Sequence, residues 1–350
     1  MLRTEISTND EVLRRLAHVL PSGTRTLVIG GYGCGNIGDE AILSVMLDDL
    51  RTLGVRPRVV SVNAPETTQI HDVRAYAASL VSVGRALFEA DALVIGGGGI
   101  FSRYMGPRSR QLPPLAGVAK ALRRRVVFRA LGVYASTPPD VARALVGAMR
   151  RADFVSVRDE ASVEALRAFG LRRDVVVEDD PALRLPAPIA MAERNGRTVG
   201  LALRRVRDAQ EQRRLEREFV AVIDGLVERA IVPFLLPFSR HPSEAMEQDD
   251  AYAQELIARS RRPEICRIAP AGLRPSEMLE LVRSLHGIVA MRFHAIVFAS
   301  LARVPAVAIP YDDKCRSFLE DHAMASVAPP TLTADAVLAS LRIGTTSVAA

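Results

Sequence analysis

Arginine and histidine side chains follow short apolar segments at two places in the chain, where they could bind an anion and move a proton. Arg292 and His294 are separated by one residue and lie between two apolar segments. Arg158 follows a third apolar segment. A guanidinium forms paired hydrogen bonds with a carboxylate or a phosphate. An imidazole gives and takes protons near neutral pH. We therefore take Arg158, Arg292 and His294 as the candidate catalytic residues.

Simpler structural roles are available to the same side chains. Arg158 could form a salt bridge with Asp159 or Glu160, or lie solvated at a rim, and Asp159 is placed to cap the following helix. A single histidine is more often structural than catalytic. Burial of both Arg292 and His294 without a ligand would, however, cost free energy, which favours a functional role for this pair.

The remaining polar side chains carry weaker signals. Glu178, Asp179 and Asp180 end an apolar segment, where one of them could hold a hydroxyl or a loop, or all three could form a solvated turn. Weaker candidates are His241, Asp249 and Asp250, whereas His18, His71, His286 and His322 are interpreted as surface or packing residues. Three cysteines without CxxC spacing argue against a zinc site and a disulfide scaffold.

Two glycine-rich turns could bring backbone N–H groups close to a ligand. The first is Gly30–Ile42 (GGYGCGNIGDEAI), and the second is the run Gly96–Gly99. Glycine lets the backbone approach an anion, and a helix N-terminus adds a partial positive charge. Four glycines at a strand end are hard to explain by packing, so the second run favours close approach of a ligand or of an opposite domain. The candidate substrate-binding residues are Gly33, Gly35, Asn36, Gly38, Asp39, Gly97, Gly98, Gly99 and Tyr311.

The spacing of the first turn, Gly33-x-Gly35-x-x-Gly38, also matches the dinucleotide-binding fingerprint. That fingerprint requires an acid at the end of the second strand to hold a ribose, and the second strand of this chain ends without one. Asp39 and Glu40 would also repel a pyrophosphate, so we do not expect a nicotinamide cofactor. Taken alone, Asp39 could instead be the N-cap of the next helix.

The sequence around these residues alternates between patterns typical of strands and of helices. Apolar patterns predict strands at 26–30, 58–62, 92–95, 126–131, 154–157, 175–177, 199–203, 232–236, 288–290 and 306–309. They predict helices at 40–53, 160–169, 212–229, 251–259, 295–302 and 334–341, with Gly170 at the C-terminal end of the second of these. Such alternation is typical of βαβ units and a mostly parallel sheet.

A proline-rich stretch, Pro181–Arg197, interrupts the alternation and is the best candidate for a linker. We therefore expect an α/β protein with two Rossmann-like, doubly wound domains, residues 1–185 and 186–350. The first would carry the glycine turns and the second the Arg-x-His segment, and the last helix could pack back on the first domain. Ligands of such sheets bind beyond the carboxyl ends of the strands, which predicts a site in a cleft that both domains face.

Composition narrows the class of protein. The chain has 350 residues, of which 49% are hydrophobic and 25% charged, as expected for a globular protein of two domains. Its net charge of +6 comes almost entirely from arginine, which fits an anionic ligand or membrane surface, or simply genome composition. Few aromatics and dispersed arginines argue against a nucleic-acid partner. No apolar run reaches the ~18–20 residues of a membrane span, and the N-terminus is polar, so we expect a cytoplasmic location.

Together these segments resemble the polysaccharide pyruvyl transferase family. The matching segments follow the family's order: GGYGCGNIGDEAIL (30–43), ADALVIGGGGIF (90–101), SVRDEAS (156–162), DPAL (180–183) and MRFHAIVFASLARVPAVAIPYDDK (291–314). The Gly-Asn-x-Gly-Asp-Glu turn and the Arg-x-His segment are fairly specific as a pair. The chain departs from the family pattern at Ser102-Arg103 and at Val133-Tyr134-Ala135, either of which could alter the choice of acceptor.

The resemblance implies a GT-B-like fold and an enzyme that moves the pyruvyl group of phosphoenolpyruvate onto two hydroxyls of a sugar, forming a cyclic ketal and phosphate. By the same resemblance, Arg158 and Arg292 would hold the donor and His294 would be the general acid and base. Asn36 and Asp39 would help to position the sugar diol. No step formally needs a metal, and we expect neither a metal nor another cofactor.

Two other functions fit the sequence, because a fold does not fix its chemistry. One is a GT-B glycosyltransferase that uses a nucleotide sugar, and the other is a non-catalytic binding protein of surface-polysaccharide assembly. The expected acceptor is a sugar of a polysaccharide or of a lipid-linked precursor. A lipid-linked acceptor would bring the protein to the inner face of the membrane, where its basic surface would help docking.

Overall fold

The computed structural model describes residues 8–101, 107–186, 195–311, 315–316, 318–319 and 324–341. Strands and helices alternate along the chain. The strands form two sheets, and the described pairings within both are parallel. This confirms the predicted α/β class.

The chain divides into two compact units. The first comprises Met1–Cys34 and Asp39–Leu185, and the second comprises Gly35–Gly38 and Pro186–Ala350. The sequence analysis assigns the whole first glycine turn to residues 1–185, whereas the structure groups the four residues Gly35–Gly38 with the second unit. The physical reason is backbone pairing within that unit, described with the site below.

The first unit is built on a seven-stranded sheet in the order β3-β2-β1-β4-β5-β6-β7. Its strands are β1 (Arg25–Ile29), β2 (Arg56–Ser61), β3 (Ala75–Ala77), β4 (Ala92–Gly98), β5 (Arg125–Leu131), β6 (Phe154–Val157) and β7 (Val176–Val177). Its helices are α1 (Asn9–Val19), α2 (Ile37–Thr52), α3 (Ala64–His71), α4 (Leu80–Glu89), α5 (Pro107–Ala121), α6 (Pro139–Met149) and α7 (Glu160–Ala168). Leu27, Leu93 and Phe128, on three adjacent strands, are completely buried in the core under α4–α7.

Local sequence signals set the ends of α7. The Asp159 carboxylate accepts a hydrogen bond from the backbone N–H of Ser162 at 2.7 Å, as an N-cap does. Gly170, just beyond the helix, has a φ of +92°, a left-handed conformation that glycine adopts without steric cost. The predicted cap and the predicted C-terminal glycine are thus both confirmed.

The second unit is built on a five-stranded sheet in the order β10-β9-β8-β11-β12. Its strands are β8 (Asn195–Ala202), β9 (Val232–Leu235), β10 (Arg267–Ile268), β11 (Leu285–Ala290) and β12 (Ala306–Ala308). Its fully described helices are α8 (Ala209–Glu228), α9 (Asp249–Ala258), α10 (Pro275–Arg283), α11 (Phe293–Ala302) and α12 (Ala334–Ser340).

Helix α12 lies against α8, within the second unit. Val337 and Leu338 belong to the same buried cluster as Phe219 and Leu226 of α8. Burial of these apolar side chains accounts for the position of the helix, which the sequence analysis allowed to lie on the first domain.

The predicted linker is only partly described. Pro181–Arg184 forms a short 3-10 turn, in which Pro181 and Ala182 are buried. Residues 187–194 lie outside the described residues, and β8 begins at Asn195. Among the described residues, no helix combines the length and the apolar composition that a bilayer span requires.

Candidate active site

Several of the predicted site residues of the first unit lie together at the carboxyl ends of its strands. We call this group the first-unit cluster. It consists of Asp39, Gly97, Gly98, Gly99, Tyr134, Arg158 and Asp180. The start of α2 supplies Asp39, and the carboxyl end of β4 supplies Gly97 and Gly98. The segments that follow β4, β5, β6 and β7 supply the others.

The second glycine run packs against side chains of its own unit. A β-carbon on Gly98 would lie 2.9 Å from Oδ1 of Asp39, and one on Gly99 would lie 2.5 Å from the hydroxyl of Tyr134. Gly97 and Gly98 also have φ values of +83° and +72°. Packing and backbone conformation within their own unit therefore account for glycine at positions 97–99, and close approach of a ligand stays a prediction.

The Arg158 guanidinium is buried and held on several sides. Nη2 donates to the Tyr134 hydroxyl at 2.7 Å, Nη1 donates to Oδ2 of Asp180 at 3.2 Å, and Nε lies 3.4 Å from Oδ2 of Asp159. Burial by itself lowers the pKa of Arg158, but Tyr134 and the two carboxylates outweigh it and raise that pKa above its usual value. The ion pair with Asp159 confirms one of the structural roles considered for Arg158, and Asp180 and Tyr134 add partners from more distant sequence.

The three acids after β7 do not form a solvated turn. Glu178 and Asp180 are both buried. The Ser156 hydroxyl donates to Glu178, whose second oxygen lies 3.7 Å from Nε of Arg129. Asp180 accepts from the backbone N–H of Ala182 at 3.0 Å as well as from Arg158. The acids hold a loop and two arginines in place, which is one of the two predicted alternatives.

A second group, in which Arg204 and Glu247 join the predicted residues, lies where α11 begins. We call it the second-unit cluster, and it consists of Gly35, Asn36, Gly38, Arg204, Glu247, Asp249, Arg292, His294 and Tyr311. Arg292 is the N-cap residue of α11, and His294 is the second residue of that helix.

Arg292 is fixed by two carboxylates. Its Nε donates to Oδ2 of Asp249 at 2.9 Å, its Nη2 donates to Oδ1 of the same residue, and its Nη1 donates to Oε2 of Glu247. Burial opposes the charge of Arg292, but Asp249 and Glu247 outweigh it and raise the pKa of the guanidinium. A guanidinium has five N–H donors, so these three bonds leave two for other partners.

Glu247 links Arg292 to a second arginine. Nη2 of Arg204 donates to Oε1 of Glu247 at 2.9 Å, and its guanidinium carbon lies 4.5 Å from the centre of the Tyr311 ring. Burial raises the pKa of Glu247, but Arg292 and Arg204 more than offset this and hold it below its usual value. Two cations and two anions therefore stand together, and the arginines keep their orientation without a ligand.

The first glycine turn reaches the second-unit cluster through backbone pairing. Ile37 N–H donates to the carbonyl of Phe238 at 2.9 Å, and Arg240 N–H donates to the carbonyl of Gly35 at 2.9 Å. Gly35 has a φ of +71°, and a β-carbon there would lie 2.7 Å from the carbonyl oxygen of Arg240. The segment Gly35–Gly38 is in this way part of the second unit.

This pairing places Gly38 directly against His294. A β-carbon on Gly38 would lie 1.8 Å from Nδ1 and 2.2 Å from Cγ of the imidazole. Asn36 Oδ1 accepts the N–H of Gly38 at 3.0 Å, and the ring of Phe293 lies 5.1 Å from that of His294. Because α2 begins at Ile37, Asp39 lies inside the helix, and its alternative role as N-cap is wrong.

Sequence reasoning missed the role of Glu40 and His71 in supporting the first turn. Oε1 of Glu40 accepts the N–H of Gly33 at 2.7 Å, and Oε2 lies 2.7 Å from Nε2 of His71. Nδ1 of His71 lies 3.1 Å from the hydroxyl of Ser44. His71 is thus a buried polar residue with two partners, and its spacing from Glu40 gives no sequence signal.

The pairing of Arg292 with Asp249 and Glu247 was also missed. Asp249 was a weak candidate only, and Glu247 was not considered. Both lie more than 40 residues before Arg292. The carboxylates could have been found only by asking which acids can reach a buried arginine.

Some of the predicted site residues lie in different units, and others lie outside the described residues. Arg158 belongs to the first unit, whereas Arg292 and His294 belong to the second, and a site shared by all three stays a prediction. Ser102, Arg103 and the segment 312–314 lie outside the described residues. In the parts of the chain that are described, no group of three or more His, Cys, Asp or Glu side chains is arranged to hold a metal ion.

Solved structures of low sequence identity share this fold. UDP-GlcNAc 2-epimerase from Methanocaldococcus jannaschii has a TM-score of 0.61 at 12% identity, over 93% of each chain. UDP-N-acetylglucosamine 2-epimerase from Rickettsia bellii has a TM-score of 0.57 at 14% identity, over 92% of this chain and 88% of that one. The Neisseria meningitidis enzyme bound to UDP-GlcNAc has a TM-score of 0.55 at 10% identity, over 91% and 90%. This likeness shows the GT-B-like fold of two Rossmann-like domains and, at such identities, nothing of the chemistry.

Sequence comparison gives the family. No protein of curated function matches the chain. The profile of one family, polysaccharide pyruvyl transferase, matches residues 36–313, which is most of the chain and includes both clusters except Gly35. The matched range begins at Asn36 of the turn that packs on His294 and extends beyond Tyr311. The chain is a member of the polysaccharide pyruvyl transferase family.

Proposed function

We propose that the protein transfers the pyruvyl group of phosphoenolpyruvate onto two hydroxyls of a sugar, in a polysaccharide or a lipid-linked precursor. The products are a cyclic ketal and phosphate. The observation that carries the proposal is the contact between Gly38 and the His294 imidazole, beside an Arg292 that two carboxylates hold in place. This contact joins the two sequence segments that are most specific for the family.

A donor with two anionic groups would account for the presence of two arginines that are held in a fixed orientation. Phosphoenolpyruvate is small and carries a carboxylate and a phosphate, both of which match the fork of a guanidinium. Arg292 keeps two N–H donors beyond those used by Asp249 and Glu247. Arg158 is held by Tyr134 and Asp180 in a similar way. We assign both arginines to donor binding and to stabilising the charge on the departing phosphate.

The start of α11 also suits an anionic donor. A helix N-terminus carries a partial positive charge, which favours a phosphate or a carboxylate nearby. His294 occupies the first turn of this helix. The two positive charges of Arg204 and Arg292 are balanced by the two negative charges of Glu247 and Asp249. Donor binding would therefore depend on hydrogen bonds from directed N–H groups and on the helix N-terminus more than on net charge.

We assign His294 as the group that moves protons. The first sugar hydroxyl attacks C2 of phosphoenolpyruvate, and its proton is passed to the methylene carbon, which becomes a methyl group. The bond between C2 and the phosphate oxygen then breaks, and phosphate leaves. The second hydroxyl then attacks C2, and the proton that it loses is transferred to the released phosphate. Both transfers suit an imidazole, which serves as base and as acid near neutral pH.

Asn36 and Asp39 are assigned to the sugar diol. The Asn36 carboxamide is held by the N–H of Gly38, next to the imidazole. Asp39 is half-buried beside Gly98, and carboxylates are common acceptors for sugar hydroxyls. The reaction as written uses no metal and no other cofactor, and this too stays part of the proposal.

Titration of the full-length protein with candidate donors tests which donor it binds. Isothermal calorimetry would compare phosphoenolpyruvate with a set of nucleotide sugars, since a GT-B glycosyltransferase would bind the latter. We expect phosphoenolpyruvate to bind with measurable heat and Arg158→Lys to weaken that binding. Binding of a nucleotide sugar without binding of phosphoenolpyruvate would contradict the proposal and favour glycosyl transfer.

A further inference from the structure

Helices α4 and α5 of the first unit expose apolar side chains to solvent. Among the described residues, every exposed valine, leucine, isoleucine, methionine or phenylalanine lies on one of these two helices or directly after α5. They are Leu80, Val81, Phe88, Val118 and Leu122, the first three being 91%, 83% and 71% exposed. Single exposed apolar residues are common on soluble proteins, but a concentration on neighbouring helices indicates an interaction surface.

The two helices lie on the same side of the first sheet. Leu87 of α4 and Ala116 of α5 belong to one buried core cluster. Nη2 of Arg124, just after α5, donates to the carbonyl oxygen of Phe88 at 2.9 Å, which brings the carboxyl ends of the helices together. We call the exposed surface of the two helices, together with Leu122 directly after α5, the α4–α5 face.

The chain around this face is strongly basic. The segment Val73–Arg125 contains nine arginine and lysine residues and two acidic residues, a net charge of +7, whereas the whole chain carries +6. Both acids are engaged by arginines from outside the segment: Glu89 with Arg58 and Asp91 with Arg25, each at 2.7 Å. Arg110 and Lys120 of the segment pair with Asp140 and Asp153. Arg123 and Arg125, close in sequence to the exposed Leu122, are exposed cations of the segment.

We propose that the α4–α5 face docks the protein on an anionic phospholipid membrane. Leucine, valine and phenylalanine side chains beside arginines are the composition of helices that lie in the membrane interface. The apolar groups would enter the boundary between headgroups and acyl chains, while Arg74, Arg123 and Arg125, which are exposed, would contact lipid phosphates. Two copies of so basic a face would repel each other, so the charge favours a membrane over a second copy of the chain.

One end of the α4–α5 face lies near the first-unit cluster. Helix α4 begins just beyond β3, at the carboxyl edge of the first sheet, where that cluster lies, whereas Phe88, Arg123 and Arg125 lie at the opposite, amino edge. The docking itself does not depend on the proposed function, because it can be measured without turnover.

Vesicle binding by the full-length protein tests the inference. Co-sedimentation would use phosphatidylcholine vesicles with and without phosphatidylglycerol. We expect binding to the mixed vesicles only, and weaker binding at high salt. Leu80→Ser with Phe88→Ser should weaken binding about tenfold or more, because two apolar side chains no longer leave water.

Two double variants, one on the α4–α5 face and one elsewhere, measure the contribution of positive charge on this face to vesicle binding. Arg123→Gln with Arg125→Gln removes two positive charges from the α4–α5 face, and Arg213→Gln with Arg217→Gln removes two exposed ones from α8. Each arginine at an anionic surface strengthens binding about fivefold, equivalent to ~1 kcal/mol. We therefore expect about 25-fold weaker binding for the first pair and little change for the second.

Three results would overturn the inference. The first is wild-type protein that does not bind mixed vesicles, and the second is undiminished binding by the Leu80→Ser, Phe88→Ser variant. The third is a dimer in sedimentation velocity that this variant converts to a monomer, which would assign the face to a second copy of the chain. Circular dichroism of each variant confirms that it is folded, as expected for exposed substitutions.

Discussion

Gly38 and His294 are in direct contact: a β-carbon on Gly38 would lie 1.8 Å from Nδ1 of the imidazole. The imidazole occupies the space that any side chain at position 38 would need. Gly38 is the second residue of α2, at the end of the first glycine turn, and His294 is the second residue of α11. The contact therefore couples the first glycine turn to the candidate acid and base.

Gly38→Ala tests this contact. The added methyl group would push the imidazole out of its position, and a displaced catalytic group is expected to cost about 100-fold in turnover. The ring is the end of a rotatable side chain and can move, so the unfolding temperature should stay near that of the wild type. Turnover with phosphoenolpyruvate and thermal unfolding would be measured together.

The matched control is Gly147→Ala in α6, where an added β-carbon meets no atom within 4 Å. That variant should keep full activity and be slightly stabilised, because alanine restricts the unfolded chain and favours helix. Full activity in Gly38→Ala would show that the position of the imidazole does not matter.

Arg158→Lys should weaken donor binding. Lysine keeps the charge but lacks the planar fork that the Tyr134 hydroxyl and the Asp180 carboxylate orient. Loss of charge-assisted hydrogen bonds predicts a KM for phosphoenolpyruvate that rises about 10- to 100-fold, with a smaller change in kcat. Arg143→Lys, an exposed arginine of α6, is the control and should leave KM unchanged. An unchanged KM in Arg158→Lys would remove Arg158 from the donor site.

Asp249 should be needed for the stability of the second unit. Its carboxylate pairs with two nitrogens of Arg292, and both residues are buried. Asp249→Ala leaves a buried guanidinium without its main partner, which costs about 3–5 kcal/mol. The neighbouring Asp250→Ala changes the same charge at a more exposed carboxylate and should cost far less. Equal unfolding free energies for the two variants would contradict the role given to Asp249.

Asp49 should make the first unit sensitive to acid. Burial raises the pKa of Asp49, but Arg184 and Arg129 outweigh it and hold that pKa below its usual value. The stability that Asp49 contributes is then present above the unfolded pKa of about 3.9 and is lost as pH falls below it.

The comparison of wild type with Asp49→Asn measures this contribution. The difference in unfolding free energy should be about 3–5 kcal/mol at neutral pH and should shrink as the pH falls through about 4. The exposed Asp48→Asn, one residue away, should show a small and nearly constant difference. A constant difference for Asp49→Asn would mean that its carboxylate does not stabilise the fold through its charge.

Local signals in the sequence were sufficient to predict much of the fold. The cap at Asp159, the glycine at position 170 and the apolar strands around Arg158 and Arg292 all depend on residues within a few positions of each other. Helix α5 escaped prediction because Pro113 and Pro114 lie inside it, where proline normally ends a helix.

The partners of the site residues depend on long-range contacts and could not be predicted. Nothing near Arg292 in the sequence identifies Asp249 as its partner, and nothing near Gly38 shows that it faces an imidazole. The segment Gly35–Gly38 was assigned to the first domain because it follows β1, whereas its backbone pairs within the second unit. Pattern and spacing predicted the candidate site residues, and the fold supplied the carboxylates that hold Arg158 and Arg292.

The decisive measurement is phosphate release from phosphoenolpyruvate by wild type and by His294→Ala. It would use a panel of free and lipid-linked saccharides as acceptors. With the right acceptor, the wild type should release one phosphate for each ketal formed. His294→Ala should still bind phosphoenolpyruvate in calorimetry but release phosphate at least about 100-fold more slowly. Phosphate release by His294→Ala at the wild-type rate, or none from the wild type with any acceptor despite donor binding, would contradict the account.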